Sequence, residues 1–511
     1  MTMWHPGAVA AREPDRLAAA FPAATMTYGA LDAASRACAA RLFAAGLGPR
    51  DTVLLLVGQT PGFLAAAWAA QRSGLTYLPA STRLAPPELA YLLADSGAKA
   101  LIVADTAAAL ADAALARLPH PVLRLDLEEA LAPTNAPDAP ALEGGDLLYT
   151  SGTTGRPKGV KRPLKLEPLG SDGRRVVRGR ELFGLDGASV FLSPAPLYHA
   201  APLRFAMNLL RVGGTVVGLE RFDAEAALAA IDARRVTHSQ WVPTMFRRLL
   251  LLPPETRARY DLSSHRVAIH AGAPCPEPVK RAMIDWWGPI LHEYYSGTES
   301  IGFTHATSAE WLARPGTVGR PWGCRVHILD ETGRELPPGA TGRVFFAGGA
   351  PVAYHNAAEK TAGITSPEGW QTMGDIGHVD ADGYLFLTDR AAFTIISGGV
   401  NIYPGEVEAA LLAHPELVFD CAVFGVPDPD LGERVQALVV PPPGVAAAAA
   451  LAERIFAALD GSLSPVKQPR HIAFLDDLGR TETGKLAKAA LKAEWAGRRD
   501  QGFARPSRKA A

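Results

Sequence analysis

Two short apolar runs in the first third of the chain decide the fold class: Val53-Leu-Leu-Leu-Val57 and Ala100-Leu-Ile-Val-Ala104. Continuous apolar runs of this length are typical of strands that are buried on both faces of a parallel sheet. A helical pattern between residues 87 and 93 separates the two runs, and Thr27 can cap an earlier helix whose apolar face extends over residues 31–42. The alternation of strands and helices predicts an α/β fold.

The composition indicates a large globular protein rather than a disordered or nucleic-acid-binding one. The chain has 511 residues and a mass of 54.0 kDa, which corresponds to roughly three structural units at about 150 residues each. Its 51 Lys and Arg residues balance 52 Asp and Glu residues, whereas a protein that binds a phosphate backbone carries a basic excess. The 48% of hydrophobic and 20% of charged residues are the proportions of a folded protein. We therefore expect no nucleic-acid partner.

The sequence predicts a cytoplasmic protein without a membrane span. Four cysteines are scattered without a Cys-x-x-Cys pair, which is typical of reduced thiols. Charged residues between Arg12 and Arg16 occupy the place where a signal peptide needs its apolar core. The richest apolar stretch, residues 62–70, is far shorter than the ~20 residues that a spanning helix needs.

Two changes of pattern divide the rest of the chain. The alternation of strands and helices continues up to about residue 330, with a strand candidate at 267–270. Short strands and tight turns follow, and Asp382-Gly383 is a good hairpin signal. Beyond Arg390 the pattern predicts a smaller α+β unit with a helix at 406–412 and a strand at 421–425.

The strongest sign of function is the loop Tyr149-Thr-Ser-Gly-Thr-Thr-Gly-Arg-Pro-Lys-Gly159. Its glycines permit tight turns that expose backbone N–H groups to an anion. Four hydroxyls add donors for phosphate oxygens, and a lysine adds positive charge. The loop lacks the GxxxxGK[ST] spacing of a Walker A motif. The predicted phosphate-binding residues are Thr150, Ser151, Gly152, Thr153, Thr154, Gly155 and Lys158.

This loop resembles the phosphate loop of the adenylate-forming enzymes, which include acyl-CoA synthetases, luciferases and the adenylation domains of peptide synthetases. Four further segments are similar to other motifs of that family and follow in the same order. These segments are Tyr294–Glu299, Trp370–Gly377, Gly383–Glu406 and Arg480–Lys485. Five ordered motifs over nearly the whole chain argue against a chance match.

The resemblance implies an α/β architecture in two domains. The large N-terminal domain, residues 1–389, is expected to hold parallel-rich sheets with flanking helices plus a distorted β-barrel. A small mobile α+β C-terminal domain is expected at residues 393–511, after a hinge at 390–392. Ala391 and Ala392 stand where many members have a charged hinge residue. Alanine allows both the α and the β region, so the hinge can still turn.

The resemblance also implies an acid–thiol ligase that uses ATP, Mg²⁺ and CoA. In the first step a hydrophobic, bulky carboxylic acid attacks the α-phosphate of ATP, which gives acyl-AMP and pyrophosphate. In the second step the CoA thiolate attacks the mixed anhydride, which gives acyl-CoA and AMP. The small domain is expected to rotate between the steps, so that it presents Lys485 for the first and the face at 397–399 for the second.

The resemblance assigns nucleotide binding to residues spread over the chain. Tyr295 is expected to stack on adenine, Thr298 to contact phosphate, and the carboxylate of Asp375 to accept hydrogen bonds from the ribose hydroxyls. Two positions depart from the usual motifs, with Ser296 in place of Gly and Met373 in place of Thr. Besides the phosphate loop, the expected nucleotide-binding residues are Ala271, Gly272, Ala273, Tyr294, Tyr295, Ser296, Gly297, Thr298, Asp375 and Arg390.

Three side chains are the catalytic candidates: Lys485, His199 and Glu299. A mobile ammonium such as that of Lys485 lowers the barrier when a carboxylate attacks a phosphate, because it bridges the two anions. Glu299 and Thr154 are the expected Mg²⁺ ligands, since hard cations prefer oxygen. His199 matches a family position, aromatic or His, beside the acyl carboxylate.

The acid pocket is predicted from the segments around the same motifs. These segments are small or apolar and show no obvious basic residue for a second carboxylate, which favours a hydrophobic monocarboxylic acid that is fatty, aromatic or polycyclic. The expected pocket residues are Tyr198, His199, Phe205, Gly297, Ile301, Gly302 and Phe303. Glycines after the strand at 395 can let a thin chain pass beside the backbone, and the resemblance implies that the pantetheine arm of CoA passes there. The expected CoA-binding residues are Ser397, Gly398 and Gly399.

Two alternatives stay open beside the acid–CoA ligase. The enzyme could perform mainly one half-reaction: thioesterification of an adenylate made elsewhere, or adenylation with transfer to a carrier protein. The chain could also be a non-catalytic nucleotide-binding protein, although intact Lys158, Glu299, Asp375 and Lys485 argue against that. The identity of the acid and the oligomeric state stay undetermined from the sequence.

Overall fold

The computed structural model describes residues 4–150, 157–171, 173–349, 351–481, 484–498 and 501–505. Among these residues, each helix is too short or too polar to serve as a membrane span.

The chain up to Lys161 forms the first group of elements. In chain order they are α1 (Pro6–Ala10), β1 (Leu17–Phe21), β2 (Ala24–Thr27), α2 (Tyr28–Ala44), β3 (Thr52–Leu56), α3 (Pro61–Gln71), β4 (Thr76–Pro79), α4 (Pro86–Ser96), β5 (Ala98–Val103), α5 (Ala108–Leu115), β6 (Leu123–Asp126), α6 (Leu127–Leu131), β7 (Gly145–Asp146), β8 (Leu148–Thr150) and β9 (Lys158–Lys161).

The second group extends to Pro321. It comprises α7 (Arg174–Phe183), β10 (Val190–Ser193), α8 (Ala200–Val212), β11 (Thr215–Gly218), α9 (Ala224–Ala233), β12 (His238–Trp241), α10 (Pro243–Leu250), α11 (Pro254–Arg257), β13 (Val267–His270), α12 (Glu277–Trp287), β14 (Leu291–Tyr295), β15 (Thr304–Thr307), α13 (Ser308–Ala313) and β16 (Thr317–Pro321).

The third group completes the described chain. It comprises β17 (Arg325–Leu329), β18 (Gly342–Ala347), β19 (Ala353–Tyr354), α14 (Ala358–Ala362), β20 (Gln371–Val379), β21 (Leu385–Arg390), a 3₁₀ turn (Ala391–Phe393), β22 (Ile395–Ser397), β23 (Val400–Ile402), α15 (Pro404–Leu412), β24 (Asp420–Asp428), β25 (Gly432–Val440), α16 (Ala449–Leu459), β26 (His471–Phe474), α17 (Lys488–Ala496) and β27 (Phe503–Ala504).

The two apolar runs that decided the fold class are neighbouring central strands of a parallel sheet. They form β3 and β5 in the order β6-β5-β3-β4-β7, and every pairing in this sheet is parallel. Residues 53–56 and 100–103 are fully buried. Thr27 caps α2, since its hydroxyl accepts a hydrogen bond from the Ala30 N–H at 3.2 Å. The predicted α/β class is confirmed.

A second, larger sheet carries the strand ends that matter for the site. Its order is β17-β18-β20-β21-β16-β15-β14-β13-β12-β10-β11-β1-β2. The six strands from β14 to β1 in this order pair in parallel, whereas those beyond β14 pair antiparallel. Asp382-Gly383 lies in the turn between β20 and β21, as its sequence predicts. Closure of these strands into a distorted barrel stays a prediction.

Two smaller sheets complete the fold. β19, β9 and β8 form a three-stranded sheet beside the phosphate loop. After the 3₁₀ turn, β23-β22-β25-β26-β27 form a separate sheet, with β24 also paired to β25. This sheet has its own apolar core, which includes Ile395, Val423 and Ile455. The domain boundaries at 389 and 393 agree with this arrangement but stay a prediction.

We predict that a buried ion pair stabilises the contact between α8 and the loop before β7. The guanidinium of Arg211 on α8 donates two hydrogen bonds to Glu143, at 2.8 and 2.9 Å, and both side chains are buried. Arg211→Met leaves a buried carboxylate without its partner, which should lower the free energy of unfolding by roughly 3 kcal/mol.

The measurement is thermal unfolding of Arg211→Met against the double variant Arg211→Met/Glu143→Gln. The double variant should recover part of the loss, because the uncompensated charge is gone. An equal or larger loss in the double variant would contradict this account of the pair.

Candidate active site

The carboxyl ends of the parallel strands in the larger sheet converge on one cleft. β10 leads to His199, β12 to Thr244, and β13 to Ala271, while β14 ends at Tyr295. Ligands of open parallel sheets bind outside these strand ends. The sheet topology therefore brings together segments that are up to a hundred residues apart in the sequence.

The predicted ribose-binding carboxylate lies between an aromatic hydroxyl and a guanidinium. Asp375 on β20 and Arg390 on β21 are cross-strand partners, and Arg390 Nε lies 3.3 Å from Asp375 Oδ1. The Tyr295 hydroxyl donates a hydrogen bond to Asp375 Oδ2. Burial raises the pKa of Asp375, whereas Arg390 and the Tyr295 donor oppose that shift. These three predicted nucleotide-binding residues thus form one group.

The turn after Tyr295 packs closely around the glycine at its centre. A Cβ on Gly297 would lie 2.6 Å from both a Glu299 carboxylate oxygen and the Met373 sulfur. The Ser296 hydroxyl donates to the Gly302 carbonyl at 2.7 Å, which fastens the two ends of the turn to each other. The two departures from the usual motifs, Ser296 and Met373, therefore pack within this turn.

Glu299 meets two partners that its own motif does not contain. The Tyr354 hydroxyl donates to Glu299 Oε1 at 2.8 Å, and the Arg162 guanidinium donates to the Glu299 carbonyl at 2.9 Å. The Lys158 ammonium lies 5.4 Å from the centre of the Tyr354 ring. Desolvation and then Lys360 lower the pKa of Lys158, while Glu299 raises it. Lys158 and Glu299, both predicted site residues, thus share one corner of the cleft.

This corner fits a magnesium ion that is held together with phosphates. Mg²⁺ is commonly bound by one or two carboxylates and by substrate phosphate oxygens, and Glu299 supplies a carboxylate beside a lysine suited to phosphate. Thr154, the second predicted ligand, lies outside the described residues, as do Ser151, Gly152, Thr153 and Gly155. Thr150, at the end of β8, is described and pairs with Lys158 of β9.

His199 is a half-buried neutral imidazole directly before α8. Its Nε2 is buried and has no hydrogen-bond partner among the described residues. Burial, with a smaller contribution from Lys485, lowers the pKa of His199 to about 3. The Tyr198 ring packs against it at a centroid distance of 4.3 Å. An unpartnered buried nitrogen is costly, so its burial here is consistent with a ligand that supplies the missing partner.

Lys485 reaches this cleft from the C-terminal sheet on a tight turn. The Gly484 N–H donates to the Thr481 carbonyl at 2.8 Å, and the Lys485 N–H donates to the Thr481 hydroxyl at 3.1 Å. Gly484 has a φ of +70°, and a Cβ there would lie 2.6 Å from the Thr244 hydroxyl. Desolvation and then Arg390 lower the pKa of Lys485, whereas Glu299 raises it. The ammonium therefore lies among the predicted nucleotide-binding residues.

A salt bridge links the helix after β12 to the C-terminal sheet. Arg247 on α10 lies 3.4 Å from Asp420 Oδ1, and its guanidinium lies 4.3 Å from the centre of the Phe419 ring. Arg480 also pairs with Asp420, at 2.6 Å, and donates to the Gly484 carbonyl at 3.0 Å. The interdomain salt bridge of Arg247 and Asp420 thus supports the turn that carries Lys485.

Other predicted residues lie next to the cleft in different ways. Ala271, Gly272 and Ala273 follow β13, beside the end of β14. Tyr294 is buried and stacks on Phe303 at a centroid distance of 5.0 Å, and Phe205 packs against Tyr294 at 5.9 Å.

The predicted CoA-binding segment is the hairpin of β22 and β23. Gly398 and Gly399 have φ values of +55° and +81°, which suit glycine, and Ser397 is buried where it pairs with Gly432 of β25. Ile396 of the same hairpin is exposed. A role in CoA binding stays a prediction.

A cavity of about 850 Å³ opens beside the turn that carries Glu299. Three predicted pocket residues line it, namely Ile301, Gly302 and Phe303, whereas Tyr198, His199, Phe205 and Gly297 do not. Six arginines also line it: Arg50, Arg162, Arg174, Arg175, Arg178 and Arg204. The predicted acid pocket without an obvious basic residue stays a prediction, since only part of it coincides with this cavity. The arginines come from the loops before β3 and after β9, from α7 and from α8, which the motifs do not include.

Within the cavity wall, one carboxylate compensates part of this charge. Arg204 lies 2.5 Å from Asp146 Oδ2, and Arg175 lies 3.5 Å from Asp146 Oδ1. Burial alone would raise the pKa of Asp146, but Arg204 and Arg175 hold it well below its usual range. Arg204 also donates to the Thr298 carbonyl at 2.8 Å. The cavity wall is thus tied directly to the turn of the site.

The predicted nucleotide-binding residues and the turn with Lys485 converge on one cleft. This arrangement is the one expected of an enzyme that acts on a nucleoside triphosphate and an acid. Comparison with known proteins agrees with this class. The family model "AMP-binding enzyme" matches residues 8–352, and "AMP-binding enzyme C-terminal domain" matches residues 406–485. The chain belongs to the AMP-binding enzyme family. The predicted family and fold class are confirmed.

Individual relatives extend over nearly the whole chain. A feruloyl-CoA synthase from Amycolatopsis sp is 35% identical, over 91% of this chain and 93% of the relative. A fatty acid–[acyl-carrier-protein] ligase from Streptomyces coeruleorubidus is 31% identical, over 94% of both chains. The structure of o-succinylbenzoate CoA synthetase from Bacillus subtilis with its acyl-adenylate intermediate is similar, with a TM-score of 0.81 and 28% identity over 96% and 98% of the two chains.

We predict that the salt bridge of Arg247 and Asp420 favours the arrangement in which Lys485 lies in the cleft. Arg247→Ala should slow acyl-adenylate formation about fivefold, because a partly buried ion pair contributes about 1 kcal/mol. Thioesterification of supplied acyl-AMP should change less. The measurement compares pyrophosphate release with thioester formation.

The matched control is Arg248→Ala, since Arg248 is the next residue on the same helix and lies beside Phe222 instead. This control should leave both rates close to those of the unaltered protein. Equal slowing of both half-reactions by Arg247→Ala would show that the salt bridge does not select between the two arrangements.

Proposed function

We propose that this chain is an ATP-dependent acid–CoA ligase that works through an acyl-AMP intermediate. The observation that carries the proposal is that the turn with Lys485 lies at the cleft, where Gly484 packs against Thr244 after β12. Arg390 and Glu299, from two other segments, act electrostatically on the Lys485 ammonium. ATP, Mg²⁺ and CoA are the reactants and cofactor that members of this family use. The relatives described above are acid–thiol ligases by name.

In the first half-reaction, the side chains of the cleft hold two anions close together. Asp375 and Arg390 receive the ribose end of ATP, and Lys158 faces the phosphates. The ammonium of Lys485 contacts both the substrate carboxylate and the α-phosphate, so that it stabilises the charge that develops as the anhydride forms. A magnesium ion at Glu299 would neutralise phosphate charge when bound. Pyrophosphate leaves and acyl-AMP remains.

His199 contributes as a neutral group in this scheme. Since the pKa of His199 is about 3, the imidazole is uncharged at neutral pH. Its unpartnered Nε2 can then hydrogen-bond the acyl group without adding a second cation beside Lys485. This role positions the acid and moves no proton.

In the second half-reaction, the CoA thiolate attacks the acyl carbon and AMP leaves. The hairpin with Ser397, Gly398 and Gly399 is the proposed path of the pantetheine arm. Its sheet then has to turn about residues 390–392, where Ala391 and Ala392 form a 3₁₀ turn. The proposal therefore includes the two domains, 1–389 and 393–511, and domain alternation between the steps. It also includes a cytoplasmic location, where ATP and CoA are supplied.

The proposed acid has a bulky apolar body. The cavity beside Gly302 is large enough for a polycyclic or extended group, and apolar side chains such as Leu147, Leu164 and Phe303 line part of it.

The carrier-protein alternative stays open for one reason. The name of one relative describes a ligase that joins a fatty acid to an acyl-carrier protein. This relative matches the chain over as much of its length as the CoA ligases do. The chemistry of the first half-reaction is the same for both acceptors. The acceptor therefore has to be decided by experiment.

The test is pyrophosphate release from ATP with a panel of carboxylic acids, with and without CoA. Release that requires an acid, together with thioester formation when CoA is added, supports the proposal. Pyrophosphate release without any CoA thioester would favour a carrier-protein acceptor. An absence of acid-dependent release across the panel would favour a non-catalytic nucleotide-binding protein.

We predict that Lys485→Ala separates the two half-reactions. It should reduce pyrophosphate release by at least about a hundredfold, because it removes the charge that stabilises the transition state. Conversion of synthetic acyl-AMP and CoA to the thioester should continue at a similar rate. Both rates are measured on the same preparation.

Lys492→Ala serves as the control, since Lys492 on α17 is more exposed and pairs with Glu433 of β25 at 2.7 Å. If Lys485→Ala lowered both half-reactions equally, Lys485 would have a structural rather than a catalytic role.

A further inference from the structure

The six arginines that line the cavity outnumber the carboxylates that they can pair with. The acidic residues that line the same cavity are Asp51, Glu143, Asp146 and Glu167. Asp51 pairs with Lys99, Glu143 with Arg211, and Glu167 with Lys165. Only Asp146 faces the arginines, through Arg204 and Arg175. The described wall therefore keeps an excess of positive charge.

Arg178 is one of the lining arginines without a carboxylate partner among the described residues. Its guanidinium lies 4.3 Å from the centre of the Phe303 ring, and it forms no ion pair with a carboxylate of the described residues. Phe303 itself is buried and stacks on Tyr294. Burial and then Arg175 lower the pKa of Arg178 to about 10, so the group stays charged at neutral pH. A partly desolvated cation without an anion is costly.

Arg162 is in a similar state. It donates to the Glu299 carbonyl at 2.9 Å, which leaves its Nε buried without a partner. Its strongest charged neighbours are Arg204 and Arg175, which are repulsive, and Asp146 opposes them. Two guanidinium groups thus face the same cavity with unused donors.

The cavity adjoins the turn that carries Glu299. Its lining includes Ser300, Ile301 and Gly302, which directly follow Glu299 in the chain. Arg204 donates to the Thr298 carbonyl and to the Ser300 hydroxyl, at 2.8 and 2.9 Å. The wall of the cavity and the turn of the site are therefore neighbours, which is the arrangement that an acid reaching from the site into the cavity requires.

We propose that the acid activated by this enzyme carries a second anionic group, most simply a second carboxylate, which Arg178 and Arg162 bind at the far side of the cavity. The inference rests on the proposed ligase function and specifies its substrate class as dicarboxylic acids with an apolar body. The planar guanidinium fork matches a carboxylate with two parallel hydrogen bonds. Leu147, Leu164 and Phe303 supply apolar surface for the body of the acid.

The same chemistry could come from the phosphates of CoA instead of the acid. Both groups are anions that would satisfy the arginines. We favour the acid because predicted acid-pocket residues line the cavity, whereas the predicted CoA hairpin lies on the separate C-terminal sheet. The experiment below includes an arm for each source.

The test compares a homologous series of straight-chain and fused-ring dicarboxylic acids with the monocarboxylic acids of the same size. The readout is kcat/KM for pyrophosphate release by the full-length protein and by Arg178→Met. Methionine keeps a long apolar stem over Phe303 and removes the charge. We expect the unaltered protein to prefer the dicarboxylic acids, and Arg178→Met to lose this preference by about tenfold or more, since hydrogen bonds to charged groups are the strong ones.

The matched control is Arg180→Met on the same helix, because Arg180 is exposed and lies beside Trp4 rather than in the cavity. It should keep the preference. Arg178→Lys keeps the charge but not the fork, and it should restore only part of the preference.

Three outcomes would overturn the inference, and they are distinguishable. Equal or better activity with monocarboxylic acids, unchanged by Arg178→Met, would overturn the second anionic group and leave the ligase function intact. An Arg178→Met variant with a raised KM for CoA, an unchanged KM for dephospho-CoA and an unchanged acid preference would assign the arginines to a CoA phosphate. If no acid of either series caused pyrophosphate release, the ligase function itself would be overturned.

Discussion

The buried ion pair of Asp146 and Arg204 holds both large sheets and the reaction turn in one arrangement. Asp146 lies on β7 at the edge of the five-stranded sheet, and Arg204 lies on α8, which packs on the larger sheet. The same guanidinium donates to the Thr298 carbonyl. Glu299 follows directly, so its position depends on both sheets. Since breaking a buried pair leaves an uncompensated charge, this turn has little freedom to move.

The sequence predicts those parts of the fold and site that depend on local order. The apolar runs of β3 and β5 and the turn at Asp382-Gly383 have local causes, and the structure has them where they were expected. The partners Tyr354 of Glu299 and Arg247 of Asp420 belong to no motif, because they meet only through the pairing of distant strands and sheets. The sequence signal for the basic cavity is a run of arginines on α7. The same run is equally typical of a solvent-exposed helix face, so it does not predict a cavity.

Two departures from the family pattern have structural roles that composition could not reveal. Ser296, in place of glycine, fastens its turn through a hydrogen bond to the Gly302 carbonyl. Met373, in place of threonine, fills the space that Gly297 leaves open. Both residues therefore have packing partners in the turn that carries Glu299. The alanines at the hinge differ, since they form a 3₁₀ turn whose side chains hold neither orientation through charge.

The C-terminal sheet connects the turn with Lys485 to the proposed CoA-binding hairpin, so the two cannot move independently. The turn with Lys485 is tied through Arg480 to Asp420 on β24, and the hairpin at 395–402 pairs through Ser397 with β25, the partner of β24. Because turn and hairpin belong to one hydrogen-bonded sheet, they move together. While Gly484 packs against Thr244, the hairpin keeps Ile396 exposed to solvent. The proposed CoA role of the hairpin therefore requires the sheet to turn as a unit, which withdraws Lys485 from the cleft and breaks the contact of Arg247 with Asp420.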